Sequence, residues 1–572
     1  MGTFERKFFD SAEQFTYIGS GSLGGKAQGL VTIHKILQEK FNQADFPNFT
    51  VSIPRMTVLT TELFDEFMNL NKLSEVAFSD QSDDRIAHAF QNAQIPARLV
   101  GDLYALITKV KSPLAIRSSS LLEDALYEPF AGIYATKMTP NNQFDTETRF
   151  HKLIEAIKFV YASTFFKDAK DYFKATRHQL GEEKMAVIIQ EVVGQRHEQY
   201  FYPDISGVAR SFNYYPVGHA RPEDGIVSLA LGLGRTIVDD GISWSYSPAA
   251  PQSNPPFNTI QDLLKQSQKQ FWAVNMAKMT VYDPVKETEY LLQLDLSVAQ
   301  QDRTLKFVSS TYDPQSDRIY PGFSANGPQL INFAPILQMN QIPLNELIKY
   351  LLSIAQDSLN SPVEVEFAVT LDQAHGLPAR FGFLQIRPMV VSRESVEIQP
   401  QEMKGPDVLL ASENVLGNGI IETIADIVYI KPENFDSKDT RKISAEIEQV
   451  NEQLHQSHQP YLLIGFGRWG STDPWLGIPV NWGQIAGAKV IVEATLPEMN
   501  VDLSQGSHFF HNLTSFQISY FSVKHSSPYK IDWEWLQQQE VVMELNFIKH
   551  VHLISPLKIK VDGRSGRGVI KK

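Results

Sequence analysis

Val363-Glu-Val-Glu-Phe-Ala-Val-Thr370 and Phe381-Gly-Phe-Leu-Gln-Ile-Arg-Pro388 decide how this chain is read. In the first segment Val363, Val365, Phe367 and Val369 alternate with Glu364, Glu366 and Ala368, the period of a half-buried strand. The second follows a turn-like stretch and reads as another strand, with Gln385 and Arg387 on one face. Paired as a hairpin, the two would project Glu366, Gln385 and Arg387 to the same side. A carboxylate and an amide offer oxygen ligands suited to Mg²⁺, and a fork of N–H donors beside them suits a phosphate. The alternative is an ordinary edge hairpin whose polar residues are solvated.

At 572 residues the chain is too long for one core, so about three or four structural units are expected. The absence of cysteine excludes disulfides, thiolate metal sites and a cysteine nucleophile. A formal net charge of −13 argues against a general nucleic-acid or anionic-membrane surface, whereas a nucleotide needs only a local cationic pocket. Met-Gly-Thr-Phe-Glu-Arg-Lys at the amino terminus lacks a signal peptide's apolar core, and Arg6 stands where a myristoylation motif has Ser or Thr. No run approaches the roughly 18 apolar residues of a spanning helix. The expectation is a cytoplasmic protein without nucleic-acid or membrane partners.

Residues 16–40 run through Gly19-Ser-Gly-Ser-Leu-Gly-Gly-Lys26 into an amphipathic stretch, Val31 to Leu37, and so predict a glycine-rich loop opening a helix. Two helices are expected between about 61 and 110, a short buried strand at 114–116, and helical structure over 148–177. Strands are expected at 185–193 and 227–231, and a helix at about 259–280 after the Pro/Ser/Asn-rich loop 247–258. Polar residues and a proline at 398–405 mark a boundary, beyond which lie five of the seven tryptophans, implying a module with its own core. The end, from Asp562 to Lys572, reads as a basic mobile tail.

The glycine loop is not a Walker A motif, since Ala27 follows the lysine. Its functional reading is backbone N–H groups and Lys26 addressing an anion at a helix N-terminus; the alternative is a capped helix start. Leu114-Ala-Ile-Arg-Ser-Ser-Ser-Leu-Leu-Glu-Asp124 sends an arginine from a buried strand into a triple-serine turn. That placement is costly without an anionic partner, which is either a ligand or Glu123 or Asp124.

Taken in order, Gly-Gly-Lys at 24–26, Ala-Ile-Arg-Ser-Ser from 115, Glu-Asp at 123–124, Phe-Ala-Gly at 130–132 and Met-Ala-Val-Ile-Ile-Gln190 form a pattern. Ser-Gly-Val-Ala at 206–209, Gly-Leu-Gly at 232–234, Glu366 and Gln385-Ile-Arg-Pro complete it. The set resembles the nucleotide-binding region of the phosphoenolpyruvate synthase and pyruvate phosphate dikinase family, over about residues 15–390. The resemblance implies an α/β fold: a two-lobed ATP-grasp unit followed by a smaller mixed α/β module. Residues 1–205 would form its first part, 206–395 the second lobe with the Mg²⁺ site, and 396–572 a tryptophan-rich module of unassigned role. It also implies that Lys26 and Arg117 hold ATP phosphates and that Gly132 and Thr136 belong to a phosphate-covering loop. Gln190, Glu191 and Val193 would line the adenine, Glu366 and Gln385 would hold Mg²⁺, and Arg387 would stabilise the phosphoryl group in flight. The family usually has an acidic residue directly after Gly-Leu-Gly, where this chain has Arg235.

Two parts of the family are missing from the sequence: the phosphohistidine motif and a pyruvate-binding barrel, for which about 180 residues after Pro388 are too few. A partner domain carrying the phosphohistidine is therefore expected. In the final module Gly465-Phe-Gly-Arg-Trp-Gly-Ser471 is either an anion or small-ligand loop or a set of tight turns packed by Trp469, Trp475 and Trp482. His508 and His511 are either a metal pair or phosphate acceptor, or structural. The function expected is ATP- and Mg²⁺-dependent phosphotransfer to an unidentified acceptor. The alternative is a non-catalytic ATP-binding regulatory or docking protein. An ATP-grasp ligase is disfavoured, because such sites usually have two acidic metal ligands.

Overall fold

The structure is a computed structural model of the chain. It describes residues 2–5, 15–121, 123, 132–175, 180–213, 220–238, 241–253, 260–265, 267–277, 282–371, 377–389, 396–471, 475–497, 499, 513 and 518–572. The fold is α/β, with two six-stranded sheets in the first two-thirds of the chain and a seven-stranded sheet in the last third.

The first sheet has the strand order Gly2–Thr3, Phe15–Ile18, Met56–Leu59, Met185–Glu191, Leu114–Ser120, Thr136–Thr139. Helices Thr61–Asn71, Asp83–Asn92, Ala97–Lys109 and Thr146–Ser163 contribute their apolar faces to the same core as its strands. The last of these starts where the Asp145 carboxylate accepts from the Thr148 N–H at 2.7 Å. Phe64, Phe67, Phe90, Tyr161 and Phe165 interlock at ring separations of 5.1–6.1 Å beneath it.

The second sheet has the order Trp244–Tyr246, Ile226–Ala230, Ile205–Arg210, Val363–Thr370, Ala379–Pro388, Phe49–Ser52. The hairpin expected from alternation is its centre: Glu364 lies opposite Arg387 and Glu366 opposite Gln385, with a bulge after Glu366. Helix Gly25–Lys40 buries Ala27, Leu30, Ile33 and Ile36 in the core of this sheet, and Phe49–Ser52 pairs in parallel with Ala379–Gly382. The first stretch of chain thus serves both sheets.

Beyond the boundary near 400, Asp426–Ile430, Tyr461–Phe466, Ala488–Ala494 and Ser519–Val523 run parallel in consecutive order, and helix Thr440–Gln456 crosses between the first two. Three sequence expectations are corrected here. The final module does not have a core of its own: its buried residues continue into the core under the first sheet, and Asn481 donates to Asp171 of helix Lys167–Ala175 at 3.1 Å. The basic end is an ordered strand, Arg567–Lys571, paired on both sides; Gly566 at φ 71° makes the turn, and the short apolar pair Val569-Ile570, buried on both faces, gives no alternation to read after the Gly/Arg-rich turn. Among its described residues the segment expected as a helix at 259–280 is helical at Ile260–Lys265 and then forms strand Gln270–Asn275, whose β-branched and aromatic residues favour a pleated surface. Among the described residues no helix is long and apolar enough to cross a membrane.

Deleting residues 563–572 should cost on the order of 3–6 kcal/mol, the value of burying Val569 and Ile570, both fully inaccessible. It would also expose two strand edges. Urea denaturation of the full and shortened chains measures this; an unchanged midpoint would make the strand dispensable.

Candidate functional site

The two six-stranded sheets border a cavity of about 420 Å³. Arg117 is delivered into it by Leu114–Ser120, whose neighbouring residues Ile116 and Ser118 point into buried space. Its Nη1 donates to the Leu384 carbonyl at 2.6 Å and to Gln190 Oε1 at 3.4 Å. Its Nη2 donates to Gln385 Oε1 at 3.0 Å and lies 3.6 Å from Glu366 Oε2. One guanidinium therefore spans both sheets. The expected alternative partner, Glu123, is engaged elsewhere: it accepts from Lys26 Nζ at 2.5 Å, Ser118 Oγ at 2.6 Å and the Ser120 N–H at 3.1 Å. Asp124, Phe130 and Ala131 lie outside the described residues.

The glycine loop differs from its phosphate-cradle reading. Ser20 N–H donates to Glu62 at 2.8 Å, Ser22 N–H to Thr61 at 3.1 Å, Gly24 N–H to Ser22 Oγ at 3.1 Å and Ala27 N–H to Ser119 Oγ at 3.0 Å. These donors are satisfied by side chains, three of them distant in sequence, and what the loop brings to the cavity is Lys26. The loop comes this close only because of Gly24, at φ 76°: a Cβ there would lie 1.6 Å from the Ser119 carbonyl oxygen.

Across the cavity, Arg387 is buried and its Nε donates to Glu364 Oε1 at 2.8 Å, with Nη2 on the same oxygen. Arg210 Nε holds the other oxygen of Glu364 at 2.5 Å. Two guanidinium groups thus converge on one buried carboxylate, which fixes the Arg387 side chain beside the cavity.

At the inner end, Gln190 presents an amide whose Oε1 faces Arg117 and whose Nε2 has no partner, although the residue is only 1% exposed. Glu191 turns to Ser112 at 2.8 Å and Arg55 at 3.6 Å. Val193 packs against Gly382, where a Cβ would come within 2.6 Å of it. Thr136 N–H donates to Glu287 Oε1 at 3.0 Å. Arg235, which departs from the family pattern, does not simply face solvent: it lies 5.3 Å from the Trp272 ring and 3.7 Å from Glu287. Lys26, Arg117, Gly132, Thr136, Gln190, Glu191, Val193, Glu366, Gln385 and Arg387 all border the same cavity.

The sequence matches the family described as pyruvate phosphate dikinase, AMP/ATP-binding domain, over residues 20–406, more than half of the chain. The chain belongs to this family. The two facing sheets are its AMP/ATP-binding domain, and the matched stretch ends close to the boundary near 400. No curated protein matches the chain.

Two features of the dikinase-family cavity were missed from sequence. Glu364 sits two residues before Glu366 on the same strand face, so alternation alone could have found it. Glu287 lies in the irregular stretch before Leu291, without any periodic signal. In the final module Trp469 is buried under Gly465 and donates to the Val492 carbonyl at 3.1 Å, and Trp482 is buried. Trp475, expected to pack the turns, is instead 71% exposed. His508 and His511 lie outside the described residues.

Gly24→Ala should destabilise the protein by more than the roughly 1–2 kcal/mol of a left-handed non-glycine residue, because the added methyl also meets the Ser119 backbone. Thermal denaturation measures it; a loss below 1 kcal/mol would mean the loop can retreat freely.

Proposed function

We propose that the chain is an ATP- and Mg²⁺-dependent phosphotransferase of the dikinase type, with an ATP-grasp arrangement of its two sheets and an acceptor outside the described site. The observation that carries this reading is Arg117, held at once by Gln190, Gln385, Glu366 and the Leu384 carbonyl in the cavity of an AMP/ATP-binding domain. In phosphoryl transfer the protein mainly positions charge: cations neutralise phosphate oxygens while donor and acceptor are held in line. Lys26 and Arg117 would contact the phosphates, and Arg387, oriented by Glu364, would add positive charge beside the transferred group. The unpartnered Gln190 Nε2 offers a donor at the end assigned to adenine. Gly132 and Thr136 would cover the phosphates, with Glu191 and Val193 at the adenine edge.

The donor set fits Mg²⁺. Among the described residues no three acidic or histidine groups gather to hold a metal alone, and Mg²⁺ typically takes one or two protein oxygens and completes its shell with phosphate and water. Glu366 and Gln385 supply a carboxylate and an amide oxygen, both beside the Arg117 guanidinium. A cation there would be repelled by Arg117 unless phosphate lay between them, so metal and nucleotide should bind together. Mg²⁺ would supply charge neutralisation and orientation of the phosphates.

The acceptor reading rests on the missing phosphohistidine motif and barrel: a partner domain would carry the histidine, and the location would be cytoplasmic. The purified chain with pyruvate and ATP should give slow hydrolysis without sustained phosphoenolpyruvate, because transfer needs a nucleophile in line with the phosphoryl group. Phosphorus NMR distinguishes the two, and sustained phosphoenolpyruvate would overturn the need for a partner.

Lys26→Ala and Arg117→Ala should each weaken ATP binding roughly tenfold or more, since a charge-assisted phosphate contact is worth roughly 1.5–3 kcal/mol. Calorimetry giving wild-type affinity for both variants would remove the phosphate-site assignment. Glu366→Gln should leave the fold intact and sharply reduce Mg²⁺-dependent turnover; normal turnover at limiting Mg²⁺ would make the hairpin structural.

A further inference from the structure

Behind Lys26 lies a second buried carboxyl group that nucleotide contact alone does not explain. Glu183 follows the turn Leu180–Glu182 and precedes the strand that begins at Met185. Because Met185 pairs with Ser120, Glu183 is set beside Ser120, the Leu121 backbone and Glu123. It is 5% exposed, and the donors nearest its carboxyl, the Ser120 hydroxyl and the Leu121 backbone N–H, stand too far off or too poorly aligned for a standard hydrogen bond. Among the described residues Tyr134 is another ionisable group near both carboxyls, with Tyr172 of helix Lys167–Ala175 beyond it; burial keeps the Tyr134 phenol neutral. The chain neighbours Glu182 and Lys184 are exposed, and Lys184 pairs with Asp65 at 2.5 Å. Lys26 is the cation that Glu123 holds.

We propose that Glu183 takes up a proton when Lys26 leaves Glu123 for a nucleotide phosphate, making nucleotide binding proton-coupled. This rests on the assignment of Lys26 to the phosphates given above. With Lys26 in place, one carboxylate has a counter-ion. With Lys26 drawn away, Glu123 and Glu183 would be two neighbouring buried carboxylates with no cation paired to them among the described residues, and neighbouring like charges disfavour joint ionisation. The proton comes from solvent, forms an O–H bond on the Glu183 carboxyl, and returns to solvent when the nucleotide leaves.

Burial outweighs the Ser120 hydroxyl and Leu121 N–H donors and, with the Glu123 charge adding to it, already pushes the Glu183 carboxyl up to about 7. The sign follows. Near pH 6 the group is largely protonated before binding and uptake is small; at pH 7 uptake is about half a proton, and at pH 8 it approaches one. Binding that takes up a proton weakens as pH rises, toward roughly tenfold per pH unit above 7 relative to a chain lacking the group.

The test is calorimetric titration of the full chain with Mg²⁺ and a non-hydrolysable ATP analogue. It is run at pH 6, 7 and 8, each in two buffers of different ionisation enthalpy, for wild type and Glu183→Gln. The wild type should take up more protons than the variant at pH 8 and about equally many at pH 6. Equal uptake at pH 8, or wild-type heats independent of buffer throughout, overturns the proposal; the second outcome is decisive even where the variant does not fold. Melting adds a separate readout. A carboxyl raised in the folded state loses stability as pH climbs from its unfolded value past 7, so Glu183→Gln should melt above wild type at pH 8 and not at pH 5. That melting pattern with unchanged proton uptake would keep the titration and overturn its coupling to nucleotide. An analogue that does not bind wild type at all would overturn the nucleotide reading as well, which separates the two failures.

Discussion

The contact on which the rest of the site depends is the Arg117 guanidinium lying across two sheets. Its strand belongs to the first sheet, yet two of its acceptors, the Leu384 carbonyl and Gln385 Oε1, belong to a strand of the second. A planar group with five N–H donors in a fixed fork can satisfy acceptors on both sides of a gap; an ammonium could not hold the same set. The Arg117 guanidinium thus links the hairpin Val363–Pro388 to Leu114–Ser120 directly across the cavity, alongside the packing that helix Gly25–Lys40 gives to both sheets.

The other cations of the cavity are tied in the same way. Lys26 rests on Glu123, Arg387 on Glu364, and Arg235 on Glu287. A polyanion entering such a place competes with carboxylates already in contact, so its gain is the difference between two charge-assisted contacts. The pairs also keep the arginines and lysine ordered, which removes part of the side-chain entropy cost that binding would otherwise carry.

Much of this was legible in the sequence because it is encoded by period. Alternation alone put Glu366, Gln385 and Arg387 on one side, and the antiparallel register realises that placement. What was not legible depends on contacts between distant segments. Nothing local says that the N–H groups of Ser20 and Ala27 are claimed by Glu62 and Ser119. Glu183, in Gly-Glu-Glu-Lys, looks like part of a solvated turn, and only its placement beside Ser120 buries it. The carboxy-terminal strand was hidden for a different reason. Gly-Arg-Ser-Gly-Arg resembles a loose tail by composition, but with strands on both sides it is a hairpin turn.

Helix Lys167–Ala175 meets both the cavity and the final module. Asp168 borders the cavity, while Asp171 accepts from Asn481 and touches Gly483. Since the module also shares its core with the helices of the first sheet, these two parts are packed as one body. The module thereby keeps a constant bearing on the cavity wall that Asp168 helps to form.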